Sequence, residues 1–217
     1  MNLDPSTDFV QAADGLEAVT LRRRGSDLVS AGTAIAHALR RVVTTREAAA
    51  SGGRVTASDV TWNLPAAELT EPPRLGDILC DASGRRWTVL DVARTTLGSR
   101  WRCTSRNLAV VYGLDDTITV LRATYAKSDG GAMDPDWLPW KTGIRARIQP
   151  VAAQIHPQNQ TRQTTTRFQI FIEETLMLNH AHRILGPDGT VYKIVGTTAA
   201  ERIGELERID AEVTPWP

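Results

Sequence analysis

The chain has 217 residues, with 25 basic and 25 acidic side chains and a predicted pI near neutrality. That length fits one large β domain or two of about 100 residues. The charge balance argues against sequence-independent nucleic-acid binding as the whole function, because phosphate neutralisation supplies most of that affinity and calls for a net basic surface. No apolar run is long enough to cross a bilayer, and residues 1–10 carry Asp4 and Asp8 without the basic and apolar regions of a signal peptide.

In chain order, the first strand follows Gly15: Val19-Thr20-Leu21 is β-branched and aliphatic and suits a half-buried pleated surface. The second, Thr33–Arg40, alternates through Ile35-Ala36-His37-Ala38-Leu39. Arg22-Arg23-Arg24 and Arg40-Arg41 each follow a strand, so each is placed on one rim of a barrel, facing nucleic acid, an acidic neighbouring subunit or solvent. Val43–Ser58 is small and polar, with Arg46, Glu47 and Arg54 among alanines and Gly52-Gly53; it cannot bury a core and is expected to project as a loop. Asp59–Leu64 reads as the third strand. A cap signal at Thr56–Asp59 would favour a helix instead, but Pro65 and Pro72-Pro73 break it, leaving at most a helical turn at Ala66–Leu69. The turn Ala82-Ser83-Gly84 leads into a strand whose core face starts at Trp87, and Arg100–Thr104 closes the set. Trp87 and Trp101 alternate with Arg86 and Arg102, giving core aromatics with wet arginines. Cys80 and Cys103 form no disulfide framework and read as small buried residues of a protein kept in a reducing cytosol.

The second half repeats the first at an offset of roughly 100 residues. Gly113–Arg122 echoes Gly15–Arg22, Thr142–Gln149 echoes Thr33–Arg40, and Gly186–Val195 echoes Asp81–Leu90, with Tyr192 standing where Trp87 stood. Arg167–Ile172 and Glu205–Ile209 supply the third and closing strands, and Glu173–Leu178 is a candidate helical turn. Arg145 and Arg147 are expected on the wet face. Two more projections interrupt this half. Lys127–Trp140 mixes glycines with Asp134, Asp136, Trp137 and Trp140, and Val151–Thr166 carries Gln154, His156, Asn159, Gln160 and Arg162. The fold class expected is all-β: two tandem small β-barrels with long projecting loops and little helix, residues 1–112 and 113–217. Closure also removes exposed strand edges.

No catalytic signature stands out. There is no phosphate-binding Gly-rich loop and no G-x-S-x-G elbow. His180-Ala181-His182 has a metal-like spacing without a clustered third ligand and reads as a solvated pair before a strand. Asp129, Asp134 and Asp136 lack the spacing and final glutamate of a calcium loop. The chain is therefore expected to be no enzyme and to need no cofactor or metal.

The second copy resembles the tailed-phage head–tail joining proteins of the head-closure or stopper type. The matching stretch runs from Ile144–Pro150 through Thr164–Ile170, Arg183-Ile184 and the Asp188–Ile194 hairpin to Leu206–Glu212. The resemblance implies a structural virion protein, assembled in the bacterial host cytoplasm, that forms a ring at the head–tail interface, connects portal to tail and helps close the DNA channel. It implies that Gln154, His156, Asn159, Gln160 and Arg162 reach toward the lumen or a neighbouring ring, and by duplication Arg46, Glu47 and Arg54. Asp134, Asp136, Trp137 and Trp140 are the further partner-loop candidates. The partners it implies are a portal or adaptor ring, tail proteins and further copies of the chain, with non-specific DNA contact in the channel and no membrane. Members have one barrel where this chain has two, so six chains could present twelve. A tail-terminator or tail-completion protein, an OB-type nucleic-acid-binding barrel using Trp87, Trp101, Arg86 and Arg102, and an enzyme assembled from distant loops are the alternatives.

Overall fold

A computed structural model describes residues 9–11, 13–25, 32–95, 97–127, 133–158 and 161–214, without the side chains of 126, 127, 134, 152–158 and 161–165. Two closed six-stranded antiparallel barrels account for the fold. The first has strands β1 (Leu16–Arg22), β2 (Thr33–Val42), β3 (Val60–Pro65), β4 (Ile78–Asp81), β5 (Arg86–Arg94) and β6 (Arg100–Arg106). The second has β7 (Asp116–Lys127), β8 (Met133–Gln158), β9 (Thr161–Ile172), β10 (His182–Leu185), β11 (Val191–Thr198) and β12 (Glu207–Thr214). The chain divides into two compact units, Met1–Val111 with Arg202–Gly204 and Tyr112–Glu201 with Glu205–Pro217.

The barrels share one topology. Around the first the order is β1-β2-β3-β6-β5-β4, and around the second it is β7-β8-β9-β12-β11-β10. Apart from the β1–β2 and β7–β8 ladders, which shift at different places, their registers agree residue by residue. The β5–β6 ladder has a bulge between Val89 and Asp91, and β11–β12 has one between Ile194 and Gly196. Aligning the bulges places Ser105 with Ala211, Cys103 with Ile209, and Arg102 with Arg208. The β3–β6 and β9–β12 registers then place Trp62 with Ile170 and Leu64 with Ile172. The echo of Asp81–Leu90 in Gly186–Val195 is thus a repeat of hydrogen-bond register, whereas register puts Gln149 with Arg41, one residue on from the sequence echo.

Inward-facing positions fill each interior with apolar side chains. Ile35, Trp62, Leu64, Leu79, Val89 and Cys103 are wholly buried in the first barrel, and Val120, Ala146, Ile170, Ile172, Ile184 and Ile209 in the second. Trp87 and Tyr192 are both buried, each set edge-on to another ring: Trp62 at 6.2 Å and Phe168 at 5.2 Å between centroids. A bulge in the β1–β2 ladder brings both Ile35 and Ala38 inward, where simple alternation puts them on opposite faces.

Several expectations change. The short strands β4 and β10 complete each barrel and were hidden by their length of four residues. Val43–Ser58 is not wholly loop. Thr44 opens helix α1 (Thr45–Ala50) with a capping box, its hydroxyl accepting from the Glu47 amide while the Glu47 carboxylate accepts from the Thr44 amide. A second helix, α2 (Leu108–Tyr112), precedes the second barrel, and Ala66–Glu68 forms the expected single 3₁₀ turn. Glu173–Leu178 is irregular, not helical. The two projections of the second half, read as loops, are β-ribbons.

Candidate assembly surface

Strand β8 is 26 residues long and carries both ribbons of the second barrel. Its middle, Ile144–Ala146, pairs with Asp116–Ile118 of β7, and Ala146–Pro150 pairs with Phe168–Ile172 of β9. Its first part continues alone with β7, and its last part alone with β9. The ribbons therefore leave the barrel at opposite ends. At about 3.3 Å per residue, Val151–Gln158 reaches roughly 25 Å beyond the barrel wall.

The β7–β8 ribbon has two unlike faces. Ala123 lies opposite Trp137 and Tyr125 opposite Pro135, so these pairs share one face with Met133. Arg122 with Leu138 and Thr124 with Asp136 share the other. Tyr125 is 56% exposed and Met133 is 62% exposed, so the outer part of this face is uncovered among the described residues. Pro135 and Pro139 lack an N–H for a ladder, and they are tolerated because β9 pairs with β8 only from Ala146 onward. At the base of the ribbon Trp137 lies under the guanidinium of Arg183, 4.1 Å from ring centroid to Cζ. Trp140 packs on the ring of His182 at 5.0 Å and beneath Lys141. Trp137 and Trp140 are thus brought together with β10, and Asp136 stands on the polar face with its carbonyl accepting from the Thr124 hydroxyl. Asp134 is opposite Ala126.

On the β8–β9 ribbon Gln154 is opposite Thr165, His156 opposite Gln163 and Arg162 opposite Pro157. Asn159 and Gln160 lie outside the described residues. In the first barrel Arg46 is exposed on α1 and Arg54 is exposed beyond it, its Nε donating to the Ser51 carbonyl. Glu47 is instead committed to the fold: the hydrogen bonds from the Thr44 backbone and hydroxyl, with the charge of Arg41, hold its carboxyl below the ordinary value. The signal for the β7–β8 ribbon was present in the sequence, since Met133-Asp134-Pro135-Asp136-Trp137 alternates apolar and acidic residues.

Three of the five rim arginines, Arg23, Arg40 and Arg41, are neutralised by carboxylates. Arg23 pairs with Asp77 at 2.6 Å and Glu71 at 3.1 Å. Arg40 pairs with Glu17 at 3.1 Å and lies over Trp62 and Trp87, and Arg41 pairs with Glu47. The two histidines are not a solvated pair. His182 is buried with Nδ1 2.9 Å from Asn179 Oδ1, and burial together with the charge of Arg122 lowers its pKa. No group of three or more His, Cys, Asp or Glu that could hold a metal occurs among the described residues, and none of the described helices is long and apolar enough to cross a membrane.

The first barrel covers its free edge differently. Residues Thr33–His37 of β2 have no ladder partner on the β3 side. There the Glu68 carboxylate accepts from the Ala36 amide at 2.6 Å and the His37 amide at 3.3 Å, and lies 2.6 Å from His37 Nδ1. One side chain does the hydrogen bonding of a strand.

No protein-family model matches the chain, and no curated protein matches it in sequence. Among solved structures it is similar to a chain described as "Virion of native gene transfer agent (GTA) particle", at 13% identity and a TM-score of 0.36, over 44% of this chain and 90% of that one.

Proposed function

We propose that this chain is a non-catalytic structural protein of a tailed-phage-type virion, forming a ring at the head–tail interface that connects portal to tail and helps close the DNA channel. The observation that carries this reading is β8: one strand threads the second barrel and extends a ribbon from each end, one of them with an uncovered apolar face at Tyr125, Met133 and Pro135. A barrel stable on its own needs neither extension, and a two-stranded ribbon with free edges is a template for pairing with another chain. In a ring each subunit offers two different flanks to its neighbours, a heterologous contact that closes by rotation. The ribbons supply two such unlike elements. The resemblance of Ile144–Glu212 to head-closure proteins points the same way, with the β8–β9 ribbon directed at the lumen or the next ring. Arg23, Arg40 and Arg41 are paired with carboxylates of their own barrel and are not offered as contacts to channel DNA.

The test is native mass spectrometry and electron microscopy of the chain mixed with portal and tail proteins of the same genome. The expected result is a closed ring of six two-barrel chains held between the two partners. Replacing residues 152–165 by a two-residue Asn-Gly turn is expected to leave the barrels folded and abolish ring binding. A chain that stays monomeric with every partner, or a shortened chain that binds as well as the intact one, overturns the reading.

A further inference from the structure

A second surface lies in the first barrel, on the outward face of β2, β3 and β6, and it does not depend on the assembly reading. Register places Arg41 opposite Thr61, Thr61 opposite Thr104, and Asn63 opposite Arg102. Guanidinium, hydroxyl and amide groups therefore alternate across three strands. They line a concavity of about 390 Å³, with Arg100 at its end.

The charges there are not balanced. Glu47 is spent on Arg41 and its helix cap. Arg100 and Arg102 have no carboxylate partner among the described residues, and the Nε of Arg100 is buried without a hydrogen-bond acceptor while its guanidinium lies 4.5 Å from the ring centroid of Phe9. Asp91 stands across Thr104 on β5 and bounds the face on that side. Two guanidiniums, one of them held against Phe9, with two hydroxyls and an amide offer more donors than a carboxylate has oxygens to fill. A tetrahedral oxyanion can use them all.

The second barrel shows the same positions neutralised. Gln149 stands where Arg41 is, and Asp210 where Thr104 is. Asp210 lies 3.6 Å from Arg208, the counterpart of Arg102, and accepts from Gln169. Only one of the two duplicated faces has kept its positive charge unmatched.

We propose that this face of the first barrel binds phosphate groups, either free or in a nucleic-acid backbone. The full chain is titrated against fluorescein-labelled single-stranded oligothymidylate by fluorescence anisotropy, at about 50 and about 200 mM salt, with inorganic phosphate as competitor. Binding that weakens with salt is expected. Arg102→Gln is expected to weaken it at least about fivefold and to lower the salt slope by about one. Thr104→Asp, which copies the second barrel's own residue, is expected to abolish it. Arg102 is exposed, so its variant keeps the fold whether or not Thr104→Asp does. If inorganic phosphate competes beyond the effect of equal ionic strength, the site takes a single phosphate; if it competes only as salt, the site takes a run of phosphodiesters. The proposal is overturned if the wild type binds neither probe, if Arg208→Gln in the second barrel weakens binding as much as Arg102→Gln, or if polyglutamate displaces the oligonucleotide at equal charge.

Discussion

Asp59 and Arg106 face each other at the start of β3 and the end of β6, the guanidinium closing on both carboxylate oxygens: Nε to Oδ1 at 2.7 Å and Nη2 to Oδ2 at 2.8 Å. Asp59 is fully buried and also accepts from the Thr56 amide at 2.7 Å. At the same register in the second barrel stand Arg167 and Glu212, 3.2 Å apart, with the charges exchanged. The duplication kept the pair and reversed its polarity. Removing one member of a buried pair leaves the other charge poorly solvated, so Asp59→Ala is expected to cost about 3 kcal/mol in urea-induced unfolding. The double exchange Asp59→Arg with Arg106→Glu is expected to recover part of that loss. Recovery stays partial because arginine cannot accept from Thr56. A double variant no more stable than the worse single one would sink the equivalence.

Ser105 offers a stabilising change. Its side chain is fully buried and its hydroxyl has no hydrogen-bond partner, whereas the equivalent position in the second barrel is Ala211. A buried polar group left unsatisfied costs about 1–3 kcal/mol, so Ser105→Ala is expected to raise stability on the order of 1 kcal/mol. Chemical denaturation of the full chain measures it. A loss would mean the hydroxyl is satisfied in solution.

Glu207 and Asp81 are expected to contribute to the pH dependence of stability in opposite senses. Burial pushes the Glu207 carboxyl upward, and the amide of Leu176 at 2.8 Å only partly opposes it. A carboxyl raised in the fold binds its proton more tightly folded than unfolded, so its contribution to stability is lost as pH rises from the ordinary carboxylate range through the folded value. Glu207→Gln should therefore gain on the wild type between about pH 4 and about pH 7. A pH-independent difference in denaturation midpoint counts against this.

Asp81 is the reverse case. Burial acts to raise its carboxyl, but hydrogen bonds from the Ser83 hydroxyl, the Trp87 indole and the amides of Arg85 and Ser83 outweigh it and hold the carboxyl low. Its contribution is present above the unfolded value and lost as pH falls through the folded one. Asp81→Asn should accordingly destabilise the chain more at about pH 7 than at about pH 3, as read by thermal melts at both.

Cys103 should be chemically silent. Burial, with the charges of Asp77 and Asp91, pushes its thiol up to about 12, and the thiolate is the reactive form. Iodoacetamide at neutral pH is expected to label Cys103 only when the barrel unfolds, as peptide mapping across a denaturant series would show. Labelling in native buffer at the rate of a free thiol would mean the barrel opens locally.

Composition and pattern were enough to establish an all-β chain of two repeated barrels, because a half-buried strand must alternate and a tight turn must carry glycine. Val19-Thr20-Leu21 and Ile118-Thr119-Val120, and the aromatics Trp87 and Tyr192 three residues beyond Gly84 and Gly189, were legible for that reason. The sequence also marked Val151–Thr166 as a projection, since it cannot fill a core, and Lys127–Trp140 as another, from its glycines and its mix of acidic and aromatic residues. What it did not contain is pairing. Strands as short as Ile78–Asp81 and His182–Leu185 have too few residues to show a period, and only closure of the barrel identifies them. That Val151–Gln158 is a ribbon and not a loop depends on a partner strand opposite it. That Arg23, Arg40 and Arg41 are neutralised depends on carboxylates brought in from elsewhere along the chain, as Asp77 is for Arg23. Charge is a property of residues, but whether a charge is free is decided by distance, and distance belongs to the tertiary structure.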